Sequence, residues 1–276
     1  MSAGVSEAEL AEWRGWIGRS ETREQVLDIE SLRRFAAALG EDLDVEHVQP
    51  SLAHWAFFLP VAGPEGLGPD GHLRRGGFLP PVSLPRRMFA AAELRFDGAL
   101  RLGATATRTS TIRDLRHRVG ASGELVLVDV EHVLSQEGIA RVTERQTIVY
   151  RAAGERTAPI EPRPFESDAE AERWTPGPVD LFRFSAVTFN SHRIHYDLPY
   201  AVEQELYPGL IVHGPFVAAR LFGLATRKAG RPSAFSFRAS APVFADQSIL
   251  LTGGPEGAYR AIRCDGAVAM EAKTNL

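Results

Sequence analysis

One cysteine among 276 residues, Cys264, removes two kinds of scaffold at once. A lone thiol closes no internal disulfide and supplies too few thiolates for a structural zinc or iron–sulfur site, so it reads as a small packing residue in a late strand. Long apolar runs are also missing: nothing approaches the roughly 20 residues that cross a bilayer. The opening stretch "MSAGVSEAELAEWRGWIGRSETREQ" is acidic and polar where an export signal would be basic and then greasy, so the expected compartment is the cytosol. Positive charge is not in excess. At a net charge of −4 the chain is not built as a dedicated nucleic-acid binder, although local arginine clusters can still hold a small anion. Nor is there a Gly-rich phosphate loop, since "RRGG" and "GGPEG" read as turns.

What is present belongs to a globular protein with room for two cores. The apolar fraction is 44% and the charged fraction 24%, both ordinary for a folded domain. Hydrophobic periodicity predicts helices over residues 7–18 and 30–39, the second closed by Gly40. Residues 60–87 carry too much Gly and Pro to hold a regular element. The segments "AAELRFDG", "LRLGATATRTSTIRDLRHRVG", "GELVLVDVEHVLSQEG" and "IARVTERQTIVYRA" then alternate as antiparallel strands, and a Pro/Glu/Arg-rich linker covers 152–167. The plan repeats. "RRFAAALGED" (33–42) lies over "FRFSAVTFNS" (182–191), and "LRFDGALRLGATAT" (94–107) over "FRASAPVFADQSIL" (237–250). A further helix is expected over 215–230, with Phe216, Ala219, Leu221 and Leu224 on one face, Pro215 at its first turn and Gly230 at its stop. These patterns predict an α+β double hot-dog, with curved antiparallel sheets each wrapped around a central helix. Its units are 1–152 and 153–276.

The chemistry concentrates in "FNSHRIHYD", residues 189–197. As a metal site, His192 and His195 would need a shared helical face, with Asp197 or His213 completing the shell, but the flanking residues do not read as helix and no metal is expected. As a structural loop, Asn190 and the histidines would brace backbone groups, a reading that suits His192 best. As a general-base site, His195 gains weight from the downstream sequence. His213 lies 18 positions on in "YPGLIVHGP", and Gly214 stands at the entrance of the expected helix. A helix entrance presents unpaired N–H groups and a positive dipole end, suited to a carbonyl oxygen gaining negative charge. An imidazole neutral near pH 7 can take a proton beside it.

"FNSHRIHYD", "YPGLIVHGPF" and "FSFRASAPVFADQ", in that order, resemble the MaoC-like hot-dog hydratases and dehydratases that act on acyl-CoA thioesters. "DGHLRRGGFLPPVSLPRRMF" (70–89) resembles the subgroup that includes mesaconyl-C4-CoA (3-methylfumaryl-CoA) and itaconyl-CoA hydratases, and the likeness runs from about residue 25 to the end. The family motif has Asp, a polar residue two later and His five later; Asn190, His192 and His195 hold those places. The resemblance implies that His195 removes a proton from water, that Asn190 positions the water where the motif usually has a carboxylate, and that the Gly214 N–H polarises the thioester. His192, Asp197 and His213 would support the imidazole. No redox cofactor or metal is implied, because coenzyme A arrives as part of the substrate. The first half lacks a matching histidine, with Glu41 and Asp42 near the Asn190 position and His54 and His72 read as loop or packing residues. It is therefore expected to be a catalytically silent unit that enlarges the acyl tunnel.

For the CoA phosphates and a second acyl carboxylate, Arg86 and Arg87 are the first candidates and Arg183 and Arg238 the next, since guanidinium binds oxyanions in pairs. Two other functions fit the same motifs: a hot-dog thioesterase, which needs a carboxylate near the thioester and could use Asp197 or Glu203, and a noncatalytic acyl-CoA binder. Sheet edges would allow a homodimer, unless the internal repeat already satisfies that pairing.

Overall fold

The computed structural model describes residues 4–120, 123–165 and 171–275; the first residues of the N-terminal stretch and positions 166 and 167 of the linker lie outside the described residues. Helix α1 (Glu7–Arg14) starts on a capping box in which Ser6 and Glu9 bond each other's backbone N–H. It is shorter than the expected 7–18, because the chain turns through Gly15 and reaches a left-handed φ of 89° at Gly18. Strand β1 (Ser20–Val26) is too polar to show in the sequence. Helix α2 (Ile29–Leu39) is capped by Asp28 and stopped by Gly40 at φ 71°, as its sequence requires. Strands β2 (Arg86–Phe96), β3 (Thr105–Gly120), β4 (Gly123–Gln136) and β5 (Ile139–Arg151) complete the first half. The second contains β6 (Glu172–Trp174), α3 (Pro178–Thr188), α4 (Gly214–Ala229), β7 (Ala234–Ala239), β8 (Ile249–Gly253), β9 (Ala258–Arg263) and β10 (Val268–Asn275).

The ten strands among the described residues form one antiparallel sheet in the order β1-β3-β4-β5-β2-β7-β10-β9-β8-β6. Outward from the β2/β7 junction, each position on one side is matched by the strand five later in sequence on the other, so the topology itself is doubled. The junction is a direct backbone ladder, with Ala92 opposite Phe237 and Leu94 opposite Phe235. The expected α+β architecture is present; the strands of the two halves join in one continuous sheet, and among the described residues α4 is the longest helix lying on it. Between α2 and β2 the described chain forms only short turns such as Ala53–Ala56, since the Pro and Gly of that stretch interrupt any helix.

Helix α4 is apolar nearly all round and is buried, with Phe216, Ala219, Leu221, Phe222 and Leu224 in a core shared with Phe35 of α2, Phe184 of α3, Leu94 of β2 and Phe237 of β7. Each of these Phe and Leu side chains contributes about 1.5–3 kcal/mol by leaving water. A second cluster, with Leu10 and Trp13 of α1 over Ile112, Val128 and Tyr150, covers the long β3–β5 ribbon. The irregular chain before β2 is ordered by Arg75, whose guanidinium donates to the carbonyls of Val82, Leu84 and Pro85 and lies over the Tyr150 ring.

Candidate active site

Helix α3 ends with Phe189 in the left-handed region at φ 49°, and the Asn190 N–H returns to the Ser185 carbonyl. The Asn190 side-chain oxygen accepts the His192 N–H at 3.0 Å, an Asx turn that leads into a single 3-10 turn, Arg193–His195. The two histidines therefore do not share a helical face; their rings meet edge-on at 5.5 Å and 90°. His195 is buried, and its Nδ1 lies 2.7 Å from the Ile211 carbonyl. A carbonyl can only accept, so Nδ1 carries the proton and Nε2 keeps its lone pair. Burial lowers the His195 pKa to about 4, leaving a neutral imidazole at pH 7.

His213 stacks on His195 with ring centroids 3.5 Å apart, and its Nε2 is 2.8 Å from the Ser185 hydroxyl. Burial, then the neighbouring His195 and His192, hold it far below the usual histidine range. His213 is the cap of α4, so the stack sets the imidazole of His195 one residue from the Gly214 N–H, the first orphan donor of that helix. The Phe89 carbonyl lies 3.5 Å from the position a Gly214 side chain would take, which brings β2 of the first half to the same spot.

The first half also contributes Asp70, which no sequence pattern singled out, and His72, expected only as a loop or packing residue. The backbone of residues 69–71 docks on 191–193: Arg193 N–H donates to the Asp70 carbonyl at 2.9 Å, Arg193 Nη1 to Pro69 at 3.0 Å, and the Ser191 hydroxyl to Gly71. Gly71, at φ 87°, comes so close that a Cβ would lie 1.9 Å from the Ser191 carbonyl oxygen. The docking lays the His72 ring on His192 with centroids 3.9 Å apart, while His72 Nδ1 sits 2.9 Å from the Asp70 carboxylate. Burial works to raise the Asp70 pKa, but its bonds to His72 outweigh that and keep it ionised. Burial lowers both His72 and His192. Asp70, His72 and His192 offer ligand atoms within 4.8 Å of one another, enough to face a metal ion. The carboxylate is already given to His72, however, and the cations Arg75 and Arg87 lie close by, which favours a proton-handling cluster over a divalent ion. The D-x-H spacing inside the stretch that carries the subgroup likeness was the available signal; nothing in sequence marks Ser185.

The remaining candidates separate. Arg87, on β2, is half-buried beside Tyr150, His72 and His192, and no described carboxylate pairs with it. Arg86 has a side chain only 6% exposed, paired with Glu205 at 2.8 Å and laid over Tyr207, so it clips β2 to the 205–207 loop. Arg183 is exposed on α3, outside the histidine cluster. Arg238 faces away from Phe235 and Phe237, into a groove of about 520 Å³ on the opposite face of the sheet with Arg116, Asp129 and Glu271. Asp197, expected to support the imidazole, faces its own loop. It pairs with Arg193 at 2.7 Å and accepts the Tyr200 N–H, bracing the loop, with no bond to His195. Glu203 is exposed.

A family model for hydroxyacyl-thioester dehydratase type 2 matches residues 52–245, spanning both halves and the whole cluster. The chain is 42% identical to the mesaconyl-C(4)-CoA hydratase of Chloroflexus aurantiacus over 96% of its own length and 98% of the relative's. Among solved structures, HtdX of Mycobacterium tuberculosis superposes with a TM-score of 0.66 at 19% identity, over 93% of this chain and 99% of that one. A second M. tuberculosis protein, described as having a double hotdog fold, gives 0.53 at 13% identity, over 94% and 95%.

Proposed function

The chain belongs to the MaoC-like hot-dog family of hydroxyacyl-thioester dehydratases, a hydro-lyase family, and from that premise we propose that it hydrates the double bond of mesaconyl-C4-CoA or a similarly short dicarboxylic enoyl-CoA. The observation that carries this reading is the stack of His195 on His213, which sets a neutral, correctly tautomerised imidazole beside the open end of α4.

In the forward direction His195 Nε2 takes a proton from water as the water oxygen bonds to the β carbon. The π electrons move onto the thioester oxygen, where the Gly214 N–H and the α4 dipole stabilise the enolate. Protonation at the α carbon then restores the carbonyl. Asn190 has its oxygen committed to the His192 N–H, so its NH₂ group is what remains to hold the water. Arg87, free of any described carboxylate and next to the histidines, is the residue suited to the second carboxylate of the acyl group. The reacting residues come from the second half, while the first half supplies β2 and the docked 69–72 turn. A thioesterase reading is disfavoured because Asp197 is spent on Arg193 and Glu203 is exposed.

The test is incubation with a panel of enoyl-CoA and 3-hydroxyacyl-CoA thioesters, monitoring a mass change of one water and, in parallel, free thiol. Gain or loss of water without thiol release is expected, with dicarboxylic thioesters preferred. His195→Ala should lower turnover at least about a hundredfold in a folded protein. Thiol release, or undiminished turnover by that variant, would reject the mechanism.

A further inference from the structure

Four imidazoles meet in this site, and among the described residues only one carboxylate is hydrogen-bonded to any of them: Asp70, to His72. The shortage of anions matters because the reaction puts positive charge into the cluster. When the water O–H bond breaks and its proton goes to His195 Nε2, an imidazolium appears against His213 and His192. Burial there already pushes all the rings toward neutrality. The motif position that would supply an anion is occupied by Asn190, whose amide is uncharged.

We propose that Asp70, carried on the first half, supplies the missing negative charge to the second half's base, acting through His72 and His192. The inference rests on the hydratase reading above. Asp70 is a positioning residue: it touches His72, His72 lies on His192, and His192 meets His195 edge-on. The carboxylate favours the charged form of His192 directly; a proton on His72 would work against one on His195, so His72, kept neutral by burial, is the ring that holds the Asp70 charge against the cluster. The 69–71 turn exists in its docked form only because Gly71 allows backbone contact with Ser191, so the anion is held at a fixed distance from the cluster. Around Asp70 the other charged or titratable groups are Arg75 and Arg87, Tyr150 of β5, Tyr200, and Arg193 with its partner Asp197. The cations among them lower the imidazole pKa values, and Asp70 is the group that opposes them.

Asp70→Asn is the variant to make, because the amide oxygen can still accept the His72 N–H and hold the turn while the charge is removed. Its kcat should fall about 10- to 100-fold with KM changed less than about threefold, and the acid limb of the kcat profile should move to lower pH, since losing an anion makes the rings harder to protonate. In the double variant Asp70→Asn, Asn190→Asp, a carboxylate returns to the cluster from the other half, and turnover should recover at least about tenfold over the single variant. A wild-type protein that hydrates no thioester would count against the hydratase reading; an active wild type with an unaffected Asp70→Asn would sink this inference alone. So would a failure of the double variant to recover while its thermal unfolding matched wild type. Bound stoichiometric metal, with activity lost on chelation, would also overturn it by making Asp70 a ligand.

Discussion

At the scale of the residue, the site depends on which histidine nitrogen is free. The Ile211 carbonyl decides this for His195 by claiming Nδ1–H, and burial then removes the proton from Nε2. A group whose folded pKa is about 4 and whose unfolded value is near 6.5 contributes stability above 6.5 that is lost as pH falls toward 4. Unfolding should therefore take up protons in that window. Titration of the unfolding free energy from pH 7 to 4 should show a loss of about 3 kcal/mol from this group, reduced in His195→Asn. The neighbouring arginines give a sharper contrast. Arg86→Met strands Glu205 and should cost about 3 kcal/mol in denaturant unfolding without raising KM, whereas Arg87→Ala should raise KM about tenfold or more for a dicarboxylic thioester and little for crotonyl-CoA. Equal effects of Arg87→Ala on both substrates would remove it from acyl recognition.

At the scale of the element, α4 does two jobs that its sequence combines. Its apolar circumference fills the core, and its Gly-Pro start leaves the Gly214 N–H open at the site, because Pro215 has no N–H and those of Phe216 and Val217 already donate to the His213 carbonyl. Leu221→Ala should cost about 2–5 kcal/mol in chemical denaturation, because its neighbours are packed on all sides. The 69–72 turn works through fit alone. Gly71→Ala meets both a left-handed φ and the Ser191 carbonyl, so it should undock the turn and lower kcat about as far as Asp70→Asn does or further; wild-type turnover by Gly71→Ala would show that the docking is dispensable.

At the scale of the whole molecule, the halves are joined by a ten-stranded sheet and a common core, not by a linker alone. Residues 153–276 expressed by themselves would expose the β7 edge and one side of α4. They are expected to be insoluble or molten, with no dispersed amide spectrum and no hydratase activity, even though His195, Asn190 and Gly214 are all present. Among the described residues no helix is long and apolar enough to cross a membrane.

The sequence by itself determined what depends on neighbours along the chain. The stop at Gly40, the alternation of β3 to β5 and the apolar helix expected over 215–230 were legible, because local backbone preference and periodicity encode them. Tertiary structure decided what depends on approach across the chain. Arg86 and Arg87 are adjacent in sequence yet point to opposite sides of β2, one into a buried ion pair and the other toward the histidines. Gly71 and Ser191 are 120 positions apart, and no local rule brings them together. Their meeting results from a sheet that closes the two halves onto each other and from a glycine small enough to let the two loops touch.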